Sequence, residues 1–384
     1  MDRIIRYIRY LKELVLYIVT LPASLFYNRN REVFLVSERG TDARDNGYHF
    51  FKYLKEKHPE LEVYYVINRA SPDYKKVVEL GDVIQWKSFK HRFLFIGAKY
   101  KISTHIMGYS PDIDFYNKLN EFFPLVGKKI FLQHGIIKDD LPQLYQEKTK
   151  VDLFVCGAQP EYDFIKSTFH YKNGEVRYTG LARYDALNDY YTQKQILIMP
   201  TWRMWFNNKT DENISRSTYV KVWNDLLSSQ RLLCELRKNN ITLIFYPHYE
   251  MQKHIDLFKC NDDSIIIADF ASYDVQDLLK KSKLLITDYS SVFFDFAYMG
   301  KPCLYFQFDR EHFEKNHYKK GYFDYDKDGF GKVVCETDAL IDEIIRIVED
   351  DFHMDMKYKN NVNRFFRIRD NNNCERIFTE IRRL

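Results

Sequence analysis

Between Lys283 and Asp309 the chain reads KLLITDYSSVFFDFAYMGKPCLYFQFD, an order of signals that few folds accommodate. Leu284 to Thr287 is a short apolar run of buried-strand length. Asp288-Tyr289-Ser290-Ser291 follows, rich in side-chain oxygens that cap a helix start. Val292 to Met299 is apolar and aromatic and predicts a short helix ending at Gly300. Pro302 resets the chain before a second strand-like run, Cys303 to Phe308. Strand, capped helix, strand is a parallel crossover unit, and its hydroxyl-rich loop falls where such units hold phosphate. These residues predict an anion site near Ser290 and Ser291, with Asp288 beside it as a further substrate-binding candidate. Plain N-capping by the same side chains is the alternative.

The same alternation runs through most of the chain. In the first half, strand-like runs occur at Val33–Ser37, Leu61–Ile67, Val83–Trp86, Tyr100–Thr104, Lys129–Gln133 and Val151–Cys156. Helical patterns separate them over Gly47–Lys57, Phe93–Lys99 and Pro160–Phe169. A polar, tyrosine-rich connection from Gly180 to Gln193 breaks the pattern, which restarts with a strand at Gln195–Met199. A helix over Tyr219–Lys238, strands at Ile241–Tyr246 and Ser264–Ile267, and a helix over Val275–Lys281 precede the opening unit. Strands alternating with helices predict doubly wound parallel sheets. At 384 residues the chain is long for one core. The expectation is therefore an α/β protein of two Rossmann-like domains facing across a cleft. The boundaries would give an N-terminal helix over 1–30, domains over 31–188 and 189–360, and a C-terminal helix over 361–384.

Composition narrows the function. A formal charge of +4 is too mild for a dedicated nucleic-acid binder, so no nucleic-acid partner is expected. The six cysteines show no paired spacing and predict reduced thiols, with no structural metal. Glycine-rich dinucleotide and Walker motifs are absent, and no cofactor is implied. At the N-terminus, Arg3, Arg6 and Arg9 recur every three residues opposite an apolar face. An uncharged run, Leu14 to Tyr27, follows and is interrupted by Pro22, short of a spanning length. That pattern predicts a helix lying in a membrane surface. A helix packed on the protein's own domain and a signal segment are the alternatives.

Five stretches carry residues suited to chemistry. His134, in Gln133-His134-Gly135 at a strand end, is placed to take a proton from an attacking hydroxyl. A histidine satisfied at a strand end would look the same. His248, after Tyr246-Pro247 at another strand end, suits donation to a phosphate oxygen or a leaving group. In Thr201-Trp202-Arg203 the guanidinium of Arg203 could fork onto a diphosphate, with the Thr201 hydroxyl beside it. The Ser290-Ser291 loop is the phosphate cradle already described. Last, Lys320-Gly321-Tyr322-Phe323-Asp324-Tyr325 is an aromatic, acidic loop that could stack on a base or close the cleft, with Asp324 as its acidic member. A surface turn is the plainer reading.

Taken together, these stretches resemble the CDP-glycerol glycerophosphotransferase family, the teichoic-acid-type polyol-phosphate primases and polymerases. The resemblance rests on QHGIIKDD from Gln133, PTWR from Pro200, Pro247-His248, ITDYSSVFFDFAYMGKPCLYF from Ile286 and GYFDY from Gly321. SERGTDARDNGYHFFKYL from Ser37 is similar to the family's opening segment, so the likeness covers Val33 to Val334. It implies a GT-B-like fold, with a CDP-polyol such as CDP-glycerol in the C-terminal domain and the acceptor on the N-terminal side. By the same analogy His134 deprotonates the acceptor hydroxyl, which attacks the β-phosphorus and releases CMP. His248, Ser290 and Ser291 would hold the diphosphate, helped by Arg203, in a reaction where the protein mainly positions groups and balances charge. The implied acceptor is lipid-linked or a glycan, at the cytoplasmic face of the membrane. The chain has Gln-His-Gly-Ile-Ile where many members have Trp-His-Gly-Thr-Pro, Lys320 where others have arginine, and Tyr249 where others have proline. The acceptor and the exact polyol are thus left open. A GT-B glycosyltransferase using a nucleotide sugar, or a non-catalytic scaffold of a polymer-assembly complex, are the competing functions.

Overall fold

The computed structural model describes residues 2–316 and 319–384, without the side chains of Asp2 and Arg3. Arg3, one of the arginines expected on the basic face of the first helix, therefore has a side chain outside the described residues. Two compact units emerge. The first comprises Met1–Ile136, Pro142–Ala186 and Asp370–Leu384, and the second Ile137–Leu141 and Leu187–Arg369.

The first unit is built on seven parallel strands: β1 (Val33–Ser37), β2 (Glu62–Ile67), β3 (Val83–Gln85), β4 (Tyr100–Ser103), β5 (Lys128–Phe131), β6 (Leu153–Cys156) and β7 (Val176–Tyr178). Their order is 3-2-1-4-5-6-7, so the sheet reverses its winding between β1 and β4. At that reversal, loops from neighbouring strands part and leave room for ligand at the carboxyl ends. β1 and β4 are buried at every position, as the centre of a sheet covered on both faces requires.

The second unit has six parallel strands: β8 (Gln195–Met199), β9 (Thr242–Phe245), β10 (Ile265–Ile267), β11 (Leu284–Thr287), β12 (Cys303–Phe306) and β13 (Gly331–Val334). They lie in the order 10-9-8-11-12-13, with the reversal between β8 and β11. The crossover read from Lys283–Asp309 is thus β11, the helix Val292–Tyr298 and β12, paired in register with Leu285 opposite Cys303. Trp223 anchors the core of this unit. Its ring is fully buried, with the rings of Phe306 and Phe245 at 5.3 and 5.7 Å.

Several elements differ from the sequence expectation. The helix predicted over Tyr219–Lys238 is two helices, Thr218–Leu227 and Gln230–Asn239. Ser228 turns its hydroxyl back onto Asn224 O, and Ser229 begins a new helix by accepting from Leu232 N. Two serines in sequence thus offer side-chain oxygens that compete with the helical ladder. Pro22 interrupts nothing, for one helix runs from Asp2 to Asn28 through it. A proline inside a helix costs about 3 kcal/mol. Packing offsets it: Tyr17 joins the first unit's core, Ser24 Oγ donates to Phe93 O at 2.5 Å, and buried Glu13 pairs with Arg92. The stretch Ile4–Asn28 is long and apolar enough to cross a membrane by length and composition alone.

The C-terminal segment is not one helix over 361–384. Met356–Phe365 stays with the second unit, and Asn373–Arg382 packs on the first. There Asp185 accepts from Asn373 N and Cys374 N at 2.8 and 2.9 Å, and Arg177 pairs with Glu380 at 2.7 Å. Gly180, at φ +80°, lets the chain pass the Asn373 side chain, which a Cβ would meet at 1.8 Å.

The core of the second unit can be tested at Trp223. Its indole N–H has no hydrogen-bond partner, so its worth lies in packing. Trp223→Ala should cost about 3–5 kcal/mol in urea unfolding. Trp223→Phe, which loses no hydrogen bond, should cost less than half of that. Equal losses would mean that filling the site contributes little.

Candidate active site

In the first unit, the candidate chemistry lies at the carboxyl ends of β1, β4 and β5. His134 follows β5 by three residues, after Gln133 in a left-handed conformation at φ 47°. Gln133 is fully buried, donating from Nε2 to Val155 O at 2.6 Å. Asn46 Nδ2 donates to Gln133 O at 2.7 Å. Arg183 Nη1 donates to His134 O at 2.9 Å and to Asp45 Oδ1 at 2.6 Å. The backbone of His134 is therefore clamped on both sides while its side chain stays exposed. Among the described residues, no hydrogen bond reaches its ring nitrogens.

Desolvation among the crowded strand ends, then the charges of Arg39 and Arg183, lower the His134 pKa to about 4. Solvent reaching the exposed ring tempers the first effect, and the two guanidinium groups act in the same direction. All favour the neutral imidazole, which is the form able to accept a proton.

Sequence reasoning missed the ring beside it. His105, two residues past β4, stacks on His134 with centroids 4.7 Å apart and planes 18° apart. Its signal was present in Ser103-Thr104-His105 at a strand end. What it lacked was the strand order that makes β4 and β5 neighbours.

In the second unit, the expected donor residues follow three adjacent strands. His248 follows β9, Thr201 and Arg203 follow β8, and Asp288, Ser290 and Ser291 follow β11. The structure divides them into two groups. Arg203 and Asp288 are fully buried and face each other, with Nη1 2.8 Å from Asp288 Oδ2. Arg203 also forks onto Asp309, Nε to Oδ2 at 2.7 Å and Nη2 to Oδ1 at 3.0 Å, and donates to Thr201 O at 2.6 Å. Asp288 Oδ1 accepts from Thr201 N at 2.8 Å and Tyr289 N at 2.6 Å. Burial works against the guanidinium charge, but Asp288 and Asp309 outweigh it and raise the pKa. Arg203, expected to fork onto a diphosphate, spends its fork inside the protein. Asp288, expected to meet substrate, is its counterion.

In the other group, Thr201, Ser290 and Ser291 keep polar atoms available. The Thr201 hydroxyl is buried without a partner. Ser291 begins the helix Val292–Tyr298 without using its side chain as a cap, and Ser290 makes only a long 3.4 Å contact with Val292 N. Both serines are half-buried. His248 accepts at Nδ1 from Glu250 N at 3.2 Å, which leaves Nε2 as the protonated nitrogen of the neutral ring. Trp202 stacks beside it, with centroids 6.1 Å apart.

Asp324 does not stand free in its loop. Its Oδ1 caps the turn Tyr325–Asp328 through Asp326 N and Lys327 N, and its Oδ2 takes Lys320 Nζ at 3.3 Å. The loop walls a cavity of about 290 Å³ with Lys138, Arg310, Lys320, Tyr289, Phe313 and Tyr325. Lys138 reaches it because Asp140 pairs backbone to backbone with Lys319, and Gly321 lies against Lys138 O, where a Cβ would stand 2.4 Å away. No group of three residues suited to hold a metal ion occurs among the described residues.

The family model for CDP-glycerol:poly(glycerophosphate) glycerophosphotransferases matches residues 18–383. The chain belongs to this family. A relative, the minor teichoic acid biosynthesis protein GgaB of Bacillus subtilis (strain 168), is 35% identical over 371 residues, 92% of this chain and 40% of that protein. The teichoic acid poly(glycerol phosphate) polymerase of the same strain is 24% identical over 391 residues, 92% of this chain and 49% of its own length. The chain thus spans two fifths to one half of these family members. Among solved structures, the wall teichoic acid polymerase TagF superposes with a TM-score of 0.67 at 17% identity, covering 100% of this chain and 98% of that one. The likeness extends to the fold of a Staphylococcus aureus MnaA structure with UDP, at a TM-score of 0.55, 14% identity and coverage of 92% and 96%.

Arg203→Lys should separate a buried counterion from a ligand contact. Losing the fork leaves Asp309 and Asp288 poorly paired in the interior, so unfolding stability should fall by about 3–5 kcal/mol. A variant of unchanged stability that has merely lost nucleotide affinity would return Arg203 to the binding surface.

Proposed function

We propose that the chain transfers glycerol phosphate, or a related polyol phosphate, from a CDP-activated donor to a hydroxyl of a lipid-linked or glycan acceptor. The reading rests on membership of the family and on one observation. Polar groups with atoms to spare, on Thr201 and the Ser290–Ser291 loop, follow the adjacent strands β8 and β11 at the winding reversal of the second sheet, and His248 follows β9 beside them. That is where an α/β sheet holds phosphate. In this reading Nε2–H of His248 and the hydroxyls of Thr201, Ser290 and Ser291 donate to the diphosphate. The aromatic cavity lined by Tyr289, Phe313, Phe323 and Tyr325, with the ion-paired Lys138, Arg310 and Lys320 at its wall, serves the donor's remaining parts.

His134 is the general base. The acceptor oxygen bonds to the β-phosphorus as its proton passes to the neutral imidazole. The bond from that phosphorus to the bridging oxygen breaks, and CMP leaves with the electron pair. The lowered pKa keeps His134 competent well below neutrality, so the acidic limb of turnover should fall below pH 6.5, toward 4. A limb above pH 7 would require a different base.

The first helix supports a place at the membrane surface, on the side where nucleotide donors occur. Ile4, Ile8, Leu11, Val15 and Ile18 recur on one exposed face, while Glu13, Tyr17 and Ser24 pack inward. Replacing Ile8, Leu11, Val15 and Ile18 by serine leaves the packed face intact and should release the protein from anionic vesicles. Undiminished co-sedimentation would place the attachment elsewhere.

The reaction is tested by CMP release from CDP-glycerol and CDP-ribitol, with UDP-sugars as the competing donors. His134→Ala should lower the rate by about 10²–10⁴-fold, the usual worth of a general base. Turnover of a UDP-sugar alone would favour a glycosyltransferase, and near-full activity of the variant would remove His134 from the mechanism.

A further inference from the structure

His105 occupies a position that packing alone does not require. It lies at the carboxyl end of β4, beside the loop that carries His134, and both its ring nitrogens are committed. Arg39 Nε donates to His105 Nε2 at 3.2 Å. That nitrogen is therefore the acceptor of a neutral ring, and the proton sits on Nδ1, which is 2.8 Å from Thr104 Oγ1. The backbone is equally constrained. His105 N donates to Ser103 Oγ at 3.2 Å, and Ser103 Oγ donates to His105 O at 2.8 Å. The turn beyond it lies so close to β1 that a Cβ on Gly108 would meet Glu38 O at 1.7 Å. With its nitrogens engaged, His105 has no lone pair left for proton transfer. What it presents is a ring face, parallel to His134 at 4.7 Å.

We propose that His105 is a positioning residue for His134, a fixed plate that sets the plane of the His134 imidazole and shields one of its faces from water. This rests on the reading of His134 as the base. A ring free to rotate about its side-chain bonds would present Nε2 to the acceptor only part of the time, and misplacement of a catalytic group is costly. The hydrogen bonds from Arg39 and to Thr104 hold the plate, and the plate holds the base.

The charged groups around the pair point the same way. Arg39 and Asp42 approach from the loop after β1, with Arg39 Nε 3.8 Å from Asp42 Oδ2. Arg183 comes from the segment after β7, paired with Asp45. Glu38, buried behind the loop, accepts backbone N–H groups from Arg44, Asp45 and Tyr48, and burial pushes its carboxyl up to about 8. Desolvation, then the neighbouring His134 and Arg39, pull the His105 pKa far down, so the plate stays neutral. A water-filled gap in its place would solvate an imidazolium at His134 and raise that group's pKa.

Full-length His105→Ala and His105→Phe, labelled with ¹³C-histidine, test the assignment. The His134 resonance is identified by its loss in His134→Ala. Two quantities are read: the His134 titration midpoint, and turnover of CDP-glycerol with a synthetic glycerol-phosphate acceptor. In His105→Ala the midpoint should rise by about half to one pH unit. Its kcat should fall about ten- to a hundredfold with the donor KM within twofold. His105→Phe, which restores a flat ring, should recover both. A midpoint and kcat unchanged in His105→Ala, or a phenylalanine variant as impaired as the alanine one, overturns the proposal. Should the alanine variant fail to fold, the phenylalanine variant decides: wild-type values support the plate, and loss of both refutes it. Should His134→Ala itself stay active, or CDP-glycerol not turn over, the reading of the reaction falls and the titration midpoint alone judges the plate.

Discussion

The second unit depends on a cation that solvent never reaches. Arg203 leaves β8 and turns inward, where Asp288 from β11 and Asp309 beyond β12 enclose it. The rings of Tyr219, Tyr289, Phe308 and Phe313 lie 4.9–5.7 Å from its charge. A charge so far from water persists only when its counterions and hydrogen bonds are all in place, so the three loops cannot shift independently. Asp288 ties this ion to the backbone of both Thr201 and Tyr289. The Thr201 hydroxyl and the serine loop thus inherit their positions from a network that no ligand needs to touch. Such rigidity suits a phosphoryl-transfer site, where positioning is most of the catalysis.

The first unit solves the same problem with a buried carboxyl group. Glu38 gathers the N–H groups of Arg44, Asp45 and Tyr48 and so fixes the loop after β1 and the start of the helix Asn46–Lys57. From that helix Asn46 reaches the carbonyl of Gln133, and Asp45 orients Arg183 onto the carbonyl of His134. A histidine on a loop thereby acquires the backbone rigidity of the sheet edge it follows. Desolvation, then the charges of Arg39 and Arg183, favours its neutral imidazole.

Much of this was legible in the residues. Apolar runs of strand length between helical patterns located eleven of the strands to within two or three residues. The reversal loop at Asp288–Ser291 announced itself by its capping side chains. Val176–Tyr178 and Gly331–Val334 escaped notice because each is a short edge strand with too few apolar positions to show a period. The break at Ser228–Ser229 was lost because apolar spacing continues through it, and only hydrogen bonds by the two hydroxyls part the helices. Arg203 was misassigned for a comparable reason. An arginine after a strand looks the same whether its fork faces a ligand or two aspartates, and Asp309 lies 106 residues away.

By itself the sequence determined the parallel α/β architecture, the family, and the loops that carry the candidate site. Those depend on local periodicity, turn residues and short motifs, all of which are properties of neighbours in the chain. Which of those loop residues keep polar atoms open and which are consumed inside the protein was decided only by tertiary structure. Burial and strand order turned Arg203 and Asp288 inward and brought His105 flat against His134. The cause is common to all three: a polar side chain's role is set by the charges and rings that meet it across adjacent strands, and their distance along the chain carries no record of that meeting.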